Sequence, residues 1–174
     1  MAIPVIETPR LILRGHGPGD FAAACGLWSD AQVTRFIGGT PLKPEDVWGR
    51  LLRYAGLWAM LGYGFWLVEE RGTGAFVGEV GLHELQRDTT PSFAGTPETG
   101  WALMPSAHGK GYAGEAVAAM LGWADARGIA RTVCIIAPEN TASVRVAEKQ
   151  GYRVFADGSY KGNPTRIFER MRPA

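Results

Sequence analysis

The sequence predicts a single α/β domain, residues 1–174, with a central mixed sheet and helices on both faces. Short apolar runs, typical of buried strands, alternate with longer segments in which apolar residues recur at helical spacing. A hairpin comes first and a strand–helix–strand–helix unit follows, which predicts a twisted, mostly antiparallel sheet of about six to seven strands. The length suits one well-cored domain and is short for two.

Composition excludes several classes of protein. Hydrophobic residues make up 46% of the chain, charged residues make up 20%, and the formal net charge is +1. This balance predicts no general attraction to nucleic acid or to an anionic membrane. Pro4, Glu7 and Pro9 interrupt the N-terminal segment, which therefore lacks the apolar core of a signal peptide or anchor. We expect a cytoplasmic monomer or homodimer with no nucleic-acid or membrane partner.

The two cysteines predict reduced thiols. Cys25 and Cys134 lie far apart and lack the spacing of metal ligands relative to a histidine or to each other. Buried, inert thiols are the common case for such residues. We expect no bound metal.

The N-terminal third is expected to hold one strand and two helices. Leu11–Arg14 is a short apolar strand, and Asp20 is placed to cap a helix that runs through Phe21 and Trp28. A second helix opens at Pro44, and its apolar residues share one face: Val47, Leu51, Tyr54, Leu57, Trp58 and Leu61. We expect these two helices to form one edge of a pocket.

A hairpin and a long loop come next. Residues 64–69 and 75–85 are predicted to be strands, joined by the turn Arg71-Gly72-Thr73-Gly74. The polar segment 86–97 contains Pro91 and is predicted to be a loop.

Four more strands and two helices complete the chain. The strands are predicted at 98–103, 132–137, 152–155 and 165–171, with a polar turn over 157–164 before the last one. Helical spacing predicts a helix over 112–127. Asn140 is placed to cap a second helix that ends at Gln150, and Gly151 fits the position after its end.

The most informative stretch is His108–Glu115, in which three glycines lie between a strand and the start of a helix. Glycine lets a backbone approach a ligand closely, and a helix N-terminus presents N–H groups at the positive end of its dipole. This pattern predicts a phosphate-binding loop.

Taken alone, these glycines also match the G-x-G-x-x-G fingerprint of dinucleotide-binding enzymes, so a nucleotide-dependent oxidoreductase is one alternative. Only residues 140–174 follow the next strand, which is too few for the remaining units of a doubly wound domain. The lead-in from Met104 to His108 is also longer than the tight turn of that fingerprint. Position therefore favours another phosphate compound.

A second motif, Asn140–Tyr152, narrows the choice. Together with the glycine loop it resembles the GNAT superfamily of acyl-CoA-dependent N-acetyltransferases. The segments 7–14, 78–82 and 100–105 extend the resemblance over nearly the whole chain, towards the RimJ/RimL-like branch of ribosomal-protein N-terminal acetyltransferases. His108 stands where the family has Gln or Arg, a tolerable departure because backbone N–H groups are expected to hold the pyrophosphate.

The resemblance implies acetyl-CoA as co-substrate, bound where a V-shaped gap opens between the central parallel strands 98–103 and 132–137. It assigns the pyrophosphate to His108, Gly109, Lys110, Gly111, Tyr112, Ala113 and Gly114. Ala102 and Leu103 match positions whose backbone pairs with the pantetheine arm. Asn140 matches a contact to that arm, although a helix N-cap alone also explains it.

The implied reaction is direct attack on the thioester by an amine, either a protein or peptide N-terminus or a small molecule. The Leu103 N–H is the candidate donor to the oxyanion. Ser143 matches a serine of the RimL-like branch and is the candidate to protonate the departing thiolate. The alternative for Ser143 is a first-turn serine that bonds its own helix backbone.

The general base is not evident, because Pro105 and Ile135 stand where related branches have a glutamate. Glu79, Glu98 and nearby His83 are the candidates, and each has an alternative structural role. For an α-amine, a weak base or bulk water is a further alternative, because a fair fraction of the amine is already neutral at about pH 8. The missing glutamates leave open a second hypothesis, a non-catalytic acyl-CoA-binding module.

Overall fold

The computed structural model describes residues 2–173. Nine strands are present: β1 (Ile6–Glu7), β2 (Leu11–Arg14), β3 (Phe65–Glu70), β4 (Phe76–His83), β5 (Thr89–Thr90), β6 (Glu98–Leu103), β7 (Arg131–Ile136), β8 (Arg153–Tyr160) and β9 (Asn163–Met171). They form one sheet in the order β1-β2-β3-β4-β6-β7-β9-β8-β5. The α-helices are α1 (Phe21–Trp28), α2 (Ala31–Thr34), α3 (Pro44–Leu61), α4 (Tyr112–Ala126) and α5 (Thr141–Lys149). Within residues 2–173, no helix is both long and apolar enough to cross a membrane.

The chain divides into two compact units. The first comprises the residues up to Gly81 together with Trp101–Met120, and the second comprises Leu82–Gly100 together with the residues from Leu121 onwards. Strands β4 and β6 and helix α4 each contribute residues to both units.

In the first unit, β2 pairs antiparallel with β1 and β3, and β3 pairs antiparallel with β4. Leu11, Leu13 and Trp66 are completely buried, and Trp58 of α3 meets Trp66 edge-on at 4.7 Å between ring centroids. The predicted apolar face of α3 is confirmed except at Leu61, which is 39% exposed because α3 ends there, at a left-handed Gly62.

In the second unit, β6 pairs parallel with β7 at Glu98 and Val133, and the strands β7, β9, β8 and β5 pair antiparallel in that order. Val133 and Ile167 are completely buried and form a core cluster with Phe93. The Tyr152 hydroxyl lies 2.6 Å from Thr99 Oγ1 and 2.7 Å from Thr132 Oγ1. These buried hydroxyls join the helix-to-strand turn before β8 to β6 and β7.

The predicted fold class, a mixed and mostly antiparallel sheet with helices, is confirmed. All seven predicted strands exist, and the two-residue strands β1 and β5 bring the number to nine. The helix predicted over 112–127 matches α4, and Asn140, which accepts from the Ser143 N–H at 3.2 Å, caps α5 as predicted.

Several details of the prediction were wrong, and the four-residue helix α2 was not predicted. The segment 86–97 contains β5, which pairs with Ser159 and Tyr160. Residues 157–160 and 163–164 continue β8 and β9, so the turn comprises only Lys161 and Gly162, with φ of 50° and 77°. Asp20 does not cap α1 with its side chain, because its carboxylate pairs with Arg14 at 2.7 Å.

Candidate active site

The glycine loop follows β6 in the first unit. After Leu103 the chain forms a 3-10 turn over Pro105–Ala107 and enters α4 at Tyr112. Gly109 and Gly111 have φ of 75° and 79°, a backbone region that side-chain-bearing residues rarely adopt. Residues 108–111 are exposed, so an anion can approach the start of α4, where the helix dipole is positive.

The N-terminal segment balances the negative charge of Glu115, in the first turn of α4. Its carboxylate accepts from Thr8 Oγ1 at 2.6 Å, from the Arg10 backbone N–H at 3.0 Å and from Arg10 Nε at 2.6 Å. Arg10 also donates to the Lys110 carbonyl at 2.9 Å. Burial alone raises the pKa of Glu115, but the hydrogen bonds and the charge of Arg10 lower it overall. A carboxylate that would repel a phosphate is thereby compensated.

Ala102 and Leu103, at the end of β6, are each 7% exposed. Gly78 of β4 lies so close that a Cβ there would come within 2.2 Å of the Ala102 carbonyl oxygen. His108 folds back onto the strand end, with Nε2 3.1 Å from the Leu103 carbonyl oxygen. The predicted backbone-binding residues and the glycine loop therefore belong to one structural unit.

Glu79 is completely buried on β4. Its Oε2 accepts from the Tyr54 hydroxyl at 2.7 Å and from Trp28 Nε1 at 3.1 Å, and its Oε1 lies 3.2 Å from His16 Nε2. Burial, followed by the charge of Glu79, raises the pKa of Tyr54 well above its ordinary value. Trp28 belongs to α1 and Tyr54 to α3, so the helices that were predicted to edge a pocket hold this carboxylate.

Arg50 of α3 extends the cluster around Glu79. Its guanidinium donates to the Tyr54 hydroxyl at 3.1 Å and lies 3.7 Å from the centroid of the Trp28 ring. Arg50 Nε and His16 Nδ1 are both buried without a hydrogen-bond partner within the described part of the chain. Buried polar atoms are normally paired, so each of these two atoms has the capacity for one further hydrogen-bond partner.

Glu98 belongs to the second unit and has a different environment. It accepts from Arg87 Nε at 2.5 Å, and its other oxygen lies 3.2 Å from His83 Nε2. Burial by itself raises the pKa of Glu98, but His83 and Arg87 lower it below its ordinary value. A carboxylate held ionised in this way is a weak proton acceptor.

Asn140 and Ser143 also belong to the second unit. Asn140 Oδ1 accepts from the Ser143 N–H, and this is the N-cap bond of α5. Ser143 is half-buried in the first turn of that helix. The capping role of Asn140 is therefore present, and its predicted contact with the cofactor stays a prediction.

Sequence reasoning missed His16, Arg50 and Tyr54 as partners of a candidate catalytic carboxylate. The only local signal was a histidine between Gly15 and Gly17, and nothing in the spacing links it to Glu79, which lies 63 residues away. Among residues 2–173, no group of three or more His, Cys, Asp or Glu side chains is arranged to hold a metal ion.

The mixed sheet and the glycine loop at the start of α4 are the arrangement expected of an acyl-CoA-dependent acetyltransferase. A family model described as an acetyltransferase (GNAT) domain matches residues 10–153. The chain belongs to the GNAT family of acetyltransferases, and the resemblance stated from its motifs is confirmed.

Individual relatives agree with this assignment. The uncharacterized N-acetyltransferase YoaA of Bacillus subtilis is 27% identical and matches 98% of both chains. A protein of Bordetella pertussis that is assigned to the GNAT family is 30% identical, with a TM-score of 0.85 over 96% of this chain and 99% of the other. RimL, a ribosomal L7/L12 acetyltransferase solved with coenzyme A, shares the fold with a TM-score of 0.79 at 17% identity, over 97% of this chain and 98% of the other.

Proposed function

We propose that the protein is an N-acetyltransferase that moves the acetyl group of acetyl-CoA to a primary amine by direct attack in a ternary complex. The acceptor is a protein or peptide N-terminus or a small-molecule amine. The observation that carries the proposal is the junction of β6 and α4. Gly109 and Gly111 have positive φ there, and Arg10 balances the charge of Glu115 in the first turn of the helix. The name of YoaA and the coenzyme A bound to RimL support it.

The donor side follows from this junction. The loop His108–Gly114 holds the pyrophosphate of acetyl-CoA through backbone N–H groups and the dipole of α4. The backbone of Ala102 and Leu103 pairs with the pantetheine arm as an added strand would. In the second unit, Asn140 contributes to binding of the same arm.

The chemistry needs three further groups. An amine attacks a thioester only when it is neutral, so a proton must first leave. The Leu103 N–H donates to the oxyanion that forms, and the Ser143 hydroxyl supplies a proton to the departing thiolate.

Of the two candidate carboxylates, Glu79 fits the acceptor side better than Glu98. Arg87 and His83 hold Glu98 in its ionised form and lower its pKa. Glu79 contacts neutral donors and one imidazole, and α1 and α3 surround it. We assign the amine proton to the cluster around Glu79.

Thiol release from acetyl-CoA tests the function. We expect coenzyme A to be released with one or more of three acceptor probes: a peptide with an N-terminal alanine, a peptide with an N-terminal serine, and spermidine. Ser143→Ala is expected to lower kcat about 10²-fold, the usual size of a general-acid effect. Ser159→Ala, on exposed β8, is the matched control and keeps the wild-type rate.

Thermal shift separates the alternatives. Stabilisation by acetyl-CoA, and by neither NAD nor NADP, is expected for the transferase. Stabilisation by acetyl-CoA without thiol release over the whole panel would favour the non-catalytic module.

The free thiols of Cys25 and Cys134 suit a reducing compartment, and we expect a cytoplasmic monomer or homodimer.

A further inference from the structure

The geometry points to His16 as the residue that takes the proton from the acceptor amine, with Glu79 as its positioning residue. This inference rests on the proposed amine acetylation. It names the atom that accepts the proton, His16 Nδ1.

Glu79 itself is poorly placed to take a proton from a substrate. The side chain is completely buried, one oxygen already receives the Tyr54 hydroxyl and the Trp28 indole N–H, and the other faces His16. A carboxylate enclosed by donors holds its neighbours in orientation. Its remaining capacity is directed at the imidazole.

The contact with Glu79 fixes the tautomer of His16. An ionised carboxylate only accepts hydrogen bonds, so the proton of a neutral imidazole lies on Nε2, 3.2 Å from Glu79 Oε1. The lone pair is then on Nδ1, which is buried without a partner among the described residues, in a side chain only 6% exposed. An amine N–H, directly or through one water, supplies the missing partner.

The pair of His83 and Glu98 differs from the pair of His16 and Glu79 in the charge of its surroundings. His83 Nε2 also lies 3.2 Å from Glu98, but Arg87 already supplies a cation to that carboxylate at 2.5 Å. Glu79 receives neutral donors from Tyr54 and Trp28. An imidazolium formed on His16 would therefore be the cation in direct contact with Glu79, whereas Arg50 reaches the carboxylate only through the Tyr54 hydroxyl.

The other groups that face His16 are compatible with this role. The Tyr54 ring lies 4.9 Å from the imidazole, and Arg50 reaches the cluster through the Tyr54 hydroxyl. The charge of Asp20 also acts on His16, but Arg14 pairs with that carboxylate.

Every proton that moves during acetyl transfer has a donor and an acceptor. The acceptor ammonium loses one proton to Nδ1, and the nitrogen lone pair then forms the N–C bond with the acetyl carbon. The C–S bond breaks with its electron pair on sulfur, and the second amine proton reaches the thiolate through Ser143. His16 returns its proton to solvent.

His16→Gln separates proton transfer from positioning, because the glutamine amide can still donate to Glu79 but cannot titrate. With the fastest of the three acceptor probes, we expect kcat/KM to fall about 10²-fold at pH 7. The loss should shrink as the pH rises, since more of the amine is then neutral in solution. Glu45→Gln, an exposed change on α3, is the control and leaves the profile unchanged.

The wild-type rate and pH profile in His16→Gln would overturn the inference while leaving the proposed function intact. No thiol release by the wild type with any of the three probes would overturn both. If the variant does not fold, nitrogen-15 NMR of the wild-type imidazole decides: a proton on Nε2 supports the assignment, and a neutral form with the proton on Nδ1 contradicts it.

Discussion

The guanidinium of Arg10 lies 2.6 Å from the carboxylate of Glu115 and ties the start of β2 to the first turn of α4. Thr8 and the Arg10 backbone bind the same carboxylate. The N-terminal segment is therefore part of the proposed donor site, although more than a hundred residues of sequence separate its two sides.

Arg10→Ala should weaken acetyl-CoA binding, because Glu115 would then leave an uncompensated charge beside the phosphates. We expect the KM for acetyl-CoA to rise about fivefold with little change in kcat, in keeping with about 1 kcal/mol for an exposed pair. Initial rates at varied acetyl-CoA measure it. Arg166→Ala, which breaks the exposed pair with Asp157, is the control, and an equal rise there would contradict the prediction.

Gly109→Ala tests the shape of the loop. Both Gly109 and Gly72, in the hairpin turn between β3 and β4, have positive φ, of 75° and 94°. Alanine at either position should cost about 1–2 kcal/mol of stability. Calorimetric titration with coenzyme A should show weaker binding for Gly109→Ala alone. Equal affinity of the two variants for coenzyme A would show that the loop at Gly109 does not bind it.

Glu98→Gln should give a pH-dependent loss of stability. The folded pKa of Glu98 lies below its ordinary value, so its stabilising contribution is full above about pH 4.3 and disappears as the pH falls through the lowered pKa. Removing the charge leaves the half-buried Arg87 guanidinium without its carboxylate partner and with the Tyr160 ring beside it, at a cost of about 3 kcal/mol at pH 7. Thermal unfolding at pH 7 and pH 3.5 measures the difference. A difference in stability between variant and wild type that is as large at pH 3.5 as at pH 7 would show that the ionised form of Glu98 is not the source of the stabilisation.

Tyr152→Phe should destabilise the second unit, because two buried threonine hydroxyls lose their shared partner. We expect a loss of about 1–3 kcal/mol in the free energy of unfolding, measured with urea. The double variant with Thr132→Val tests the cause: its loss should be smaller than the sum of the two single losses. Strict additivity would show that the hydroxyl contact contributes nothing.

Local patterns predicted well the strand and the helix that carry the proposed donor site. Strand β6 and helix α4 are regular elements with clear apolar spacing, and the glycines between them have a local conformational reason. The C-terminal hairpin was underestimated because β8 is mostly exposed and polar, and its apolar periodicity is weak. Strand β5, with two residues, owes its pairing to β8 rather than to its own sequence.

The cluster around Glu79, which we propose for the acceptor side, could not be predicted in the same way. Glu79, Tyr54 and Trp28 were each visible as candidates for a strand or a helix face, but their shared hydrogen bonds depend on how β4, α1 and α3 pack. Arg87 lies in a segment whose polarity predicted only a loop, and yet it joins His83 in lowering the pKa of Glu98. Such pairings are tertiary, and no spacing along the chain encodes them.

The tight approach of Gly78 to Ala102 and Leu103 has a mechanical consequence. A Cβ at position 78 would come within 2.7 Å of the Leu103 Cα, so main chain presses on main chain with no compliant side chain between the two strands. Glu79 is the next residue along. If the roles proposed above hold, a shift of the strand end that binds the acetyl group would also move Glu79 and, through its contact, His16.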